Sequence, residues 1–174
     1  MKPIKQKKCR SCRNLFTPFS SLSKACSPSC ALNLVDLANE KKDKQSLKIR
    51  KELLKTRGDW LKEAQAIFNR FIRLRDEDHV CISCQKPPKK KNAGHYRSVG
   101  SCPELRFNEL NVHLQCEHCN TYLSSNAIEY RKNLAVKIGQ DKLEWLEGPH
   151  EPLKLTINDI KELKKKYTAK IKEL

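Results

Sequence analysis

The chain has 174 residues, enough for one ordinary domain or two small ones. Only 38% of it is hydrophobic and 32% is charged, which argues against one large apolar core and leaves room for a metal staple. A formal net charge of +16 favours polyanionic partners, and no run of 18 apolar residues exists to form a membrane-spanning helix.

Residues 1–30 carry Cys9-x2-Cys12 and Cys26-x3-Cys30, and Pro3, Pro18, Pro28 and many serines make the segment loop-rich. Two such close pairs can hold one tetrahedral zinc, and a segment this poor in apolar residues folds around the metal or not at all. Phe16 and Phe19 are expected to cover it. Lys2, Lys5, Lys7, Lys8, Arg10 and Arg13 give this module a basic patch. The N-terminus has no apolar signal-peptide region, so secretion is not expected, and paired cysteines then read as metal ligands rather than disulfides.

Residues 31–56 contain no glycine or proline and many Lys, Glu, Gln and Leu. Their composition predicts a solvated, basic helical connector, with a partly disordered linker as the other reading. Residues 57–174 form the remaining domain. Thr56-Arg57-Gly58-Asp59 breaks the connector, with Asp59 as N-cap of the next helix. There Trp60, Ala64, Ile67, Phe68, Phe71 and Ile72 recur at steps of three and four, marking one buried face.

Residues 79–125 are the densest in chemistry. Val80 to Cys84 reads as a short strand entering a zinc turn, with Cys81-x2-Cys84 pairing with Cys116-x2-Cys119. Pro87 to Asn92 is a basic loop. A strand beginning at His95-Tyr96-Arg97, a loop, a strand over Asn111–Leu114 and a helix from Cys119 follow. Cys102 is left over as a free thiol, and His79 and His150 carry no clear role. Asn126 with Glu129 suggests a capped helix ending near Gly139. Asp141 to Glu147 forms a short helix, and Thr156 with Asp159 starts a last one.

Gly94-His95-Tyr96, Asn111-x4-Cys116-x2-Cys119 and Asn120 together resemble the HNH, or ββα-metal, endonuclease motif in its zinc-stapled form. The resemblance implies an α+β fold with a ββα-metal core, flanking helices and an N-terminal zinc-binding module. It implies His95 as general base, Asn111 as brace of the hairpin and Asn120 as ligand of a catalytic Mg²⁺ or Mn²⁺. Gly94 stands where many such motifs place a second metal ligand. Asn92, His113, His118 or Glu117 could replace it, more water could fill the shell, or His95 itself could bind metal. His113 is either a site neighbour or a structural partner.

The cysteine pairs, Cys81-Ile82-Ser83-Cys84, Ala93-Gly94-His95-Tyr96-Arg97 and Leu105-Arg106-Phe107-Asn108-Glu109-x-Asn111-x-His113-x-Gln115-Cys116 also resemble the NinG (Rap) recombination proteins of lambda-like phages and prophages. That resemblance implies a structure-specific endonuclease acting on branched DNA such as Holliday junctions and D-loops. It places the protein in the cytoplasm of the bacterial host, alongside phage recombination proteins.

Lys89, Lys90 and Lys91 just before His95 are expected to steer the DNA backbone, with Arg97 and Arg106 as phosphate contacts. Symmetric cutting of a junction would suit a homodimer. No aromatic-interleaved strand points to single-strand stacking. The rival readings are a non-catalytic zinc-finger DNA-binding protein and a recombination adaptor.

Overall fold

A computed structural model describes residues 5–174, and Lys2 of the expected basic patch lies outside them. The chain divides into two compact units, 1–55 and 56–174. The protein is of mixed α and β type, rich in helix and with two small sheets.

In the first unit, the two-residue strands β1 (Lys7–Lys8) and β2 (Leu15–Phe16) pair antiparallel, Lys7 opposite Phe16. The turn between them carries Cys9 and Cys12. Its tight return uses Arg13 at φ 66° and a bond from the Cys9 N–H to the Asn14 carbonyl. The helix α1 spans Pro28–Leu53. It starts inside the cysteine module, because the Ser27 hydroxyl accepts from the Cys30 N–H and Pro28 sits at the first turn. None of its residues is buried, as its weak apolar periodicity requires. Phe16 is half-buried, but Phe19 is 99% exposed and covers nothing.

In the second unit, α2 (Arg57–Arg75) buries Trp60, Ala64, Phe68, Phe71 and Ile72. The expected stripe is therefore present. The cap is Thr56 rather than Asp59: the Thr56 hydroxyl accepts from the Asp59 N–H, and the Asp59 carboxylate accepts from the Thr56 N–H. Arg57 and Gly58 are thus the first helical turn.

Val80 to Cys84 is a turn, not a strand, although the Ile82 N–H donates to the Leu114 carbonyl. Proximity of the two cysteines demands a tight return, which an extended strand cannot supply. β3 (Lys91–His95) ends, rather than begins, at His95. It pairs antiparallel with β4 (Val112–Cys116), His95 opposite Val112 and Gly94 opposite His113. A one-turn helix over Pro103–Leu105 punctuates the loop between them.

After β4 comes a π-helical turn, His118–Tyr122, then a kink in which Ser124, Ser125 and Asn126 all have positive φ. Asn126 is left-handed and makes no capping bond, so the expected capping box is absent. Helices α3 (Ala127–Ile138), α4 (Gln140–Glu147) and α5 (Ile157–Glu173) follow. α5 has the capping box expected of Thr156 and Asp159.

Strand alternation sets two faces on the β3–β4 hairpin. Ala93 and Val112 pack with Phe68, Phe71, Ile72 and Tyr167 of α2 and α5. On the other face, the Tyr130 hydroxyl of α3 donates to the Gly94 carbonyl, with the His113 ring nearby. Tyr130 joins a second cluster with Ile82, Cys102, Leu105, Leu134, Leu143 and Leu146. Cys102 is thus a buried core thiol.

Candidate functional site

Each unit gathers one four-cysteine group, Cys9, Cys12, Cys26 and Cys30 in the first and Cys81, Cys84, Cys116 and Cys119 in the second. All four sulfurs of each group lie within 4.8 Å of one another. Neighbouring sulfurs stand at 3.5 Å (Cys12–Cys26), 3.6 Å (Cys26–Cys30) and 3.9 Å (Cys84–Cys116). A tetrahedron with zinc–sulfur bonds of about 2.3 Å has edges of about 3.8 Å, so both groups could hold zinc. The thiols perturb one another: the Cys12 N–H draws Cys9 down to about 6, while the Cys12 thiol pushes Cys26 up to about 12. A cation would let all four ionise together.

His95 lies at the end of β3, half-buried, with Nε2 3.0 Å from the Arg106 carbonyl oxygen. A carbonyl can only accept, so Nε2 carries the proton and Nδ1 keeps its lone pair. Burial holds the imidazole below its usual 6.5; the Arg106 carbonyl opposes this and the Arg106 guanidinium adds to it. His95 is therefore neutral near pH 7.

Asn111 is wholly buried and ties the intervening loop. Its Oδ1 accepts from the Arg97 N–H at 2.8 Å, and its Nδ2 donates to the carbonyls of Arg97 and Leu105. The Tyr96 N–H also donates to the Asn111 carbonyl. His95 and Asn111 are thus brought together through the chain that follows His95.

Asn120 sits half-buried on the π-helical turn, its amide without a hydrogen-bond partner among the described residues. No hydrogen bond among them links it to His95. Gly94 offers no ligand and has no room for one. A Cβ built there would lie 2.1 Å from Gln115 Oε1. Gln115 is fully buried and held by Ser83 and the Ser125 carbonyl, while its Oε1 has no hydrogen-bond partner.

His113 is committed internally. Its Nδ1 lies 3.2 Å from an Arg75 nitrogen and 3.8 Å from Asp76, and its Nε2 donates to the Leu110 carbonyl at 3.0 Å. Beside it, buried Asp76 takes a two-pronged bond from Arg75, 2.8 Å each, and accepts from the Leu114 N–H. Burial would raise the Asp76 carboxyl, but His113, Arg75 and Lys137 outweigh it and hold it far below its usual 3.8. This network clamps the end of α2 to β4. Glu117 is paired with Lys90, and His118 lies against Tyr122. Asn92 is half-buried on β3, opposite Gln115.

Among the expected DNA contacts, Lys89 is exposed with no partner among the described residues. Lys91 opens β3 and donates to the Glu77 carbonyl. Arg97 donates to the Glu147 carbonyl at 3.2 Å. Arg106 gives its Nε to Gln65 Oε1 at 2.8 Å, leaving both terminal nitrogens without a hydrogen bond among the described residues. Gln65 in turn donates to Asn69 at 2.7 Å, one helical turn along α2. One residue, Arg106, therefore orients the His95 ring by its carbonyl and is itself aimed by Gln65. Sequence inspection misses Gln65 and Asn69, since polar residues on an amphipathic helix carry no signature. Their spacing of four is the only available signal.

Fold and site together define an α+β protein with two four-cysteine groups able to hold metal, the second fastened to a short antiparallel hairpin. The family model "Bacteriophage Lambda NinG protein" matches residues 1–174. "Protein ninG" of Escherichia phage lambda is 39% identical over 182 residues, covering 94% of this chain and 89% of the relative. Those of Escherichia phage 933W (38% over 188 residues, 97% and 94% covered) and Salmonella phage P22 (37% over 182, 94% and 90%) are similar. The chain belongs to the NinG family. No solved structure matches it. No helix of the described residues is long and apolar enough to cross a membrane.

Proposed function

We propose that this protein is a metal-dependent DNA endonuclease of HNH type that cuts branched recombination intermediates. The observation that carries the reading is the neutral, half-buried His95, fixed at the strand end by the Arg106 carbonyl and by the loop that Asn111 ties down. A held imidazole with a free lone pair suits a general base near neutral pH. Nδ1 takes a proton from the attacking water, and the resulting imidazolium is stabilised by Nε2–H donating to the Arg106 carbonyl. The terminal nitrogens of Arg106, with Lys89, Lys90, Lys91 and Arg97, receive phosphate oxygens.

Asn120 would hold a divalent cation, Mg²⁺ or Mn²⁺, which supplies charge stabilisation at the phosphate. One amide oxygen is a thin donor set, compatible with Mg²⁺ because that ion keeps several waters and binds substrate phosphates. The cysteine groups take zinc and serve structure. The substrate class, a homodimer, phage recombination partners and a site of action in the host cytoplasm follow from the family resemblance.

Gly94 favours a second reading, a zinc-stapled DNA-binding or adaptor protein without catalysis, since the position before His95 is closed to a metal ligand. Incubation with plasmid and synthetic four-way junctions, with and without Mg²⁺ or Mn²⁺, separates the two. Metal-dependent nicking is expected. Its rate should fall as pH drops through a midpoint below 6.5, because protonated His95 accepts nothing. His95→Ala should lower the rate by about 10² to 10⁴ and flatten that limb, with zinc content unchanged. Binding without nicking would establish the second reading, and full activity in folded His95→Ala would remove His95 as the base and with it the HNH assignment.

A further inference from the structure

Beside the second cysteine group lies a groove of about 410 Å³, within the range of about 300–1,000 Å³ typical of small-ligand sites. The His95 base, the Asn111 brace and the Arg106 clamp do not line it. Its lining includes Lys86, Pro87 and Lys89 together with His118, Tyr122 and Leu123. Tyr122 is 70% exposed, unlike the aromatic residues of α2 and α3, which are buried. Its ring centroid stands 6.1 Å from that of His118, the planes tilted by 37°. The two rings are four residues apart on the π-helical turn, on either side of Asn120. Such turns are frequent at functional sites.

The charge around these rings is positive. Lys86 and Lys89 form no ion pair among the described residues, and the acidic lining residue, Glu117, is paired with Lys90. An open aromatic face with flanking uncompensated lysines recognises a flat π-system joined to phosphate. In a paired duplex the base faces are hidden in the stack. We propose that this groove takes an unpaired nucleotide of DNA, its base stacked on Tyr122 and His118 and its phosphates on Lys86 and Lys89. This rests on the reading of the chain as DNA-acting and adds the group by which a branched or interrupted duplex differs from a paired one. Metal at the second cysteine group would fix the groove, since Cys84, Cys116 and Cys119 border it.

The test uses the full zinc-loaded chain with Ca²⁺ in place of Mg²⁺, so that binding is read without cutting. Two DNAs are compared by fluorescence anisotropy: a short paired duplex, and the same duplex with one bulged adenine analogue whose emission is quenched by stacking. The wild type should prefer the bulged DNA by roughly fivefold to a hundredfold, the range of one base–aromatic stack, and should quench the analogue. Tyr122→Ala should lose the preference and the quenching, keep its affinity for paired duplex and retain two zinc ions. Tyr122→Phe should restore both. Equal affinity of the wild type for the two DNAs, equal losses on both in Tyr122→Ala, or no DNA binding at all would overturn the proposal. A protein that binds the bulge but never nicks leaves the groove standing and removes only the nuclease reading.

Discussion

The two units hold similar four-cysteine groups in opposite settings. Among the described residues of the first, only Cys9 and Pro18 are buried. In the second, three apolar clusters are buried, and the cysteines sit at the edge of the hairpin between them. The same cysteine set would therefore do different work. In the first unit a bound metal would replace a core. In the second it would fasten a turn and a strand end onto a core that α2, α5 and α3 already build.

The largest expected effect breaks this comparison open. Binding of a structural zinc is worth about 10–16 kcal/mol, as much as the whole stability of a typical domain. Cys26→Ser should lower bound zinc from two to one and erase amide protection across β1 and β2. Cys116→Ser should also cost one zinc, but should leave slow amides in α2 and α5, whose packing is apolar. Hydrogen exchange resolved by residue, with metal analysis, checks both. Loss of α2 and α5 protection in Cys116→Ser would mean that zinc builds the second unit as it builds the first.

A smaller effect sharpens the same point. The second unit has a polar fastening of its own, Asp76 with Arg75, His113 and the Leu114 N–H. Removing one partner of a buried charge network typically costs about 3–5 kcal/mol, because the remaining charge is left uncompensated. Asp76→Asn should lower the urea midpoint of the second unit by a corresponding amount at neutral pH. Zinc content and the protection of β1 and β2 should not change. An unaltered midpoint would show that the clamp contributes nothing beyond the apolar clusters.

What the sequence made legible follows from how local each signal is. Cysteine spacing, the α2 stripe and the Thr156–Asp159 box are set by neighbours a few residues apart, and each is found in the structure. Asn111 stands out in the sequence through the motif, whereas its bonds to Arg97 and Leu105 appear only in the structure. Val80–Cys84 reads as a strand because it is apolar and β-branched, but bringing the two cysteines close together demands a turn, and the turn wins. Asn126 and Glu129 have capping spacing, yet the chain enters α3 from a left-handed kink. Gln65 lies 41 residues before Arg106, and no local pattern connects them. Tyr122 has no alternating partner on a strand; it meets His118 through a spacing of four along the π-helical turn.

Gly94 offers the smallest and most local test. In sequence it reads as a missing metal ligand. In the structure it is a space that Gln115 fills, with Oε1 2.1 Å and Cβ 3.0 Å from where a Cβ would stand. Gln115 cannot swing away freely, because its amide is bonded to Ser83 and to the Ser125 carbonyl in a fully buried site. Inserting one methyl into such a place typically costs about 1–3 kcal/mol. Gly94→Ala should therefore lower the urea midpoint of the second unit while both zinc sites stay filled. Gln115→Ala removes the obstruction along with its own bonds, so the double variant should lose less than the two single losses added. That shortfall is a coupling energy, and contacting residues commonly show about 0.5–3 kcal/mol of it. If the two losses simply add, Gln115 is not what closes the position, and Gly94 is open to a ligand after all.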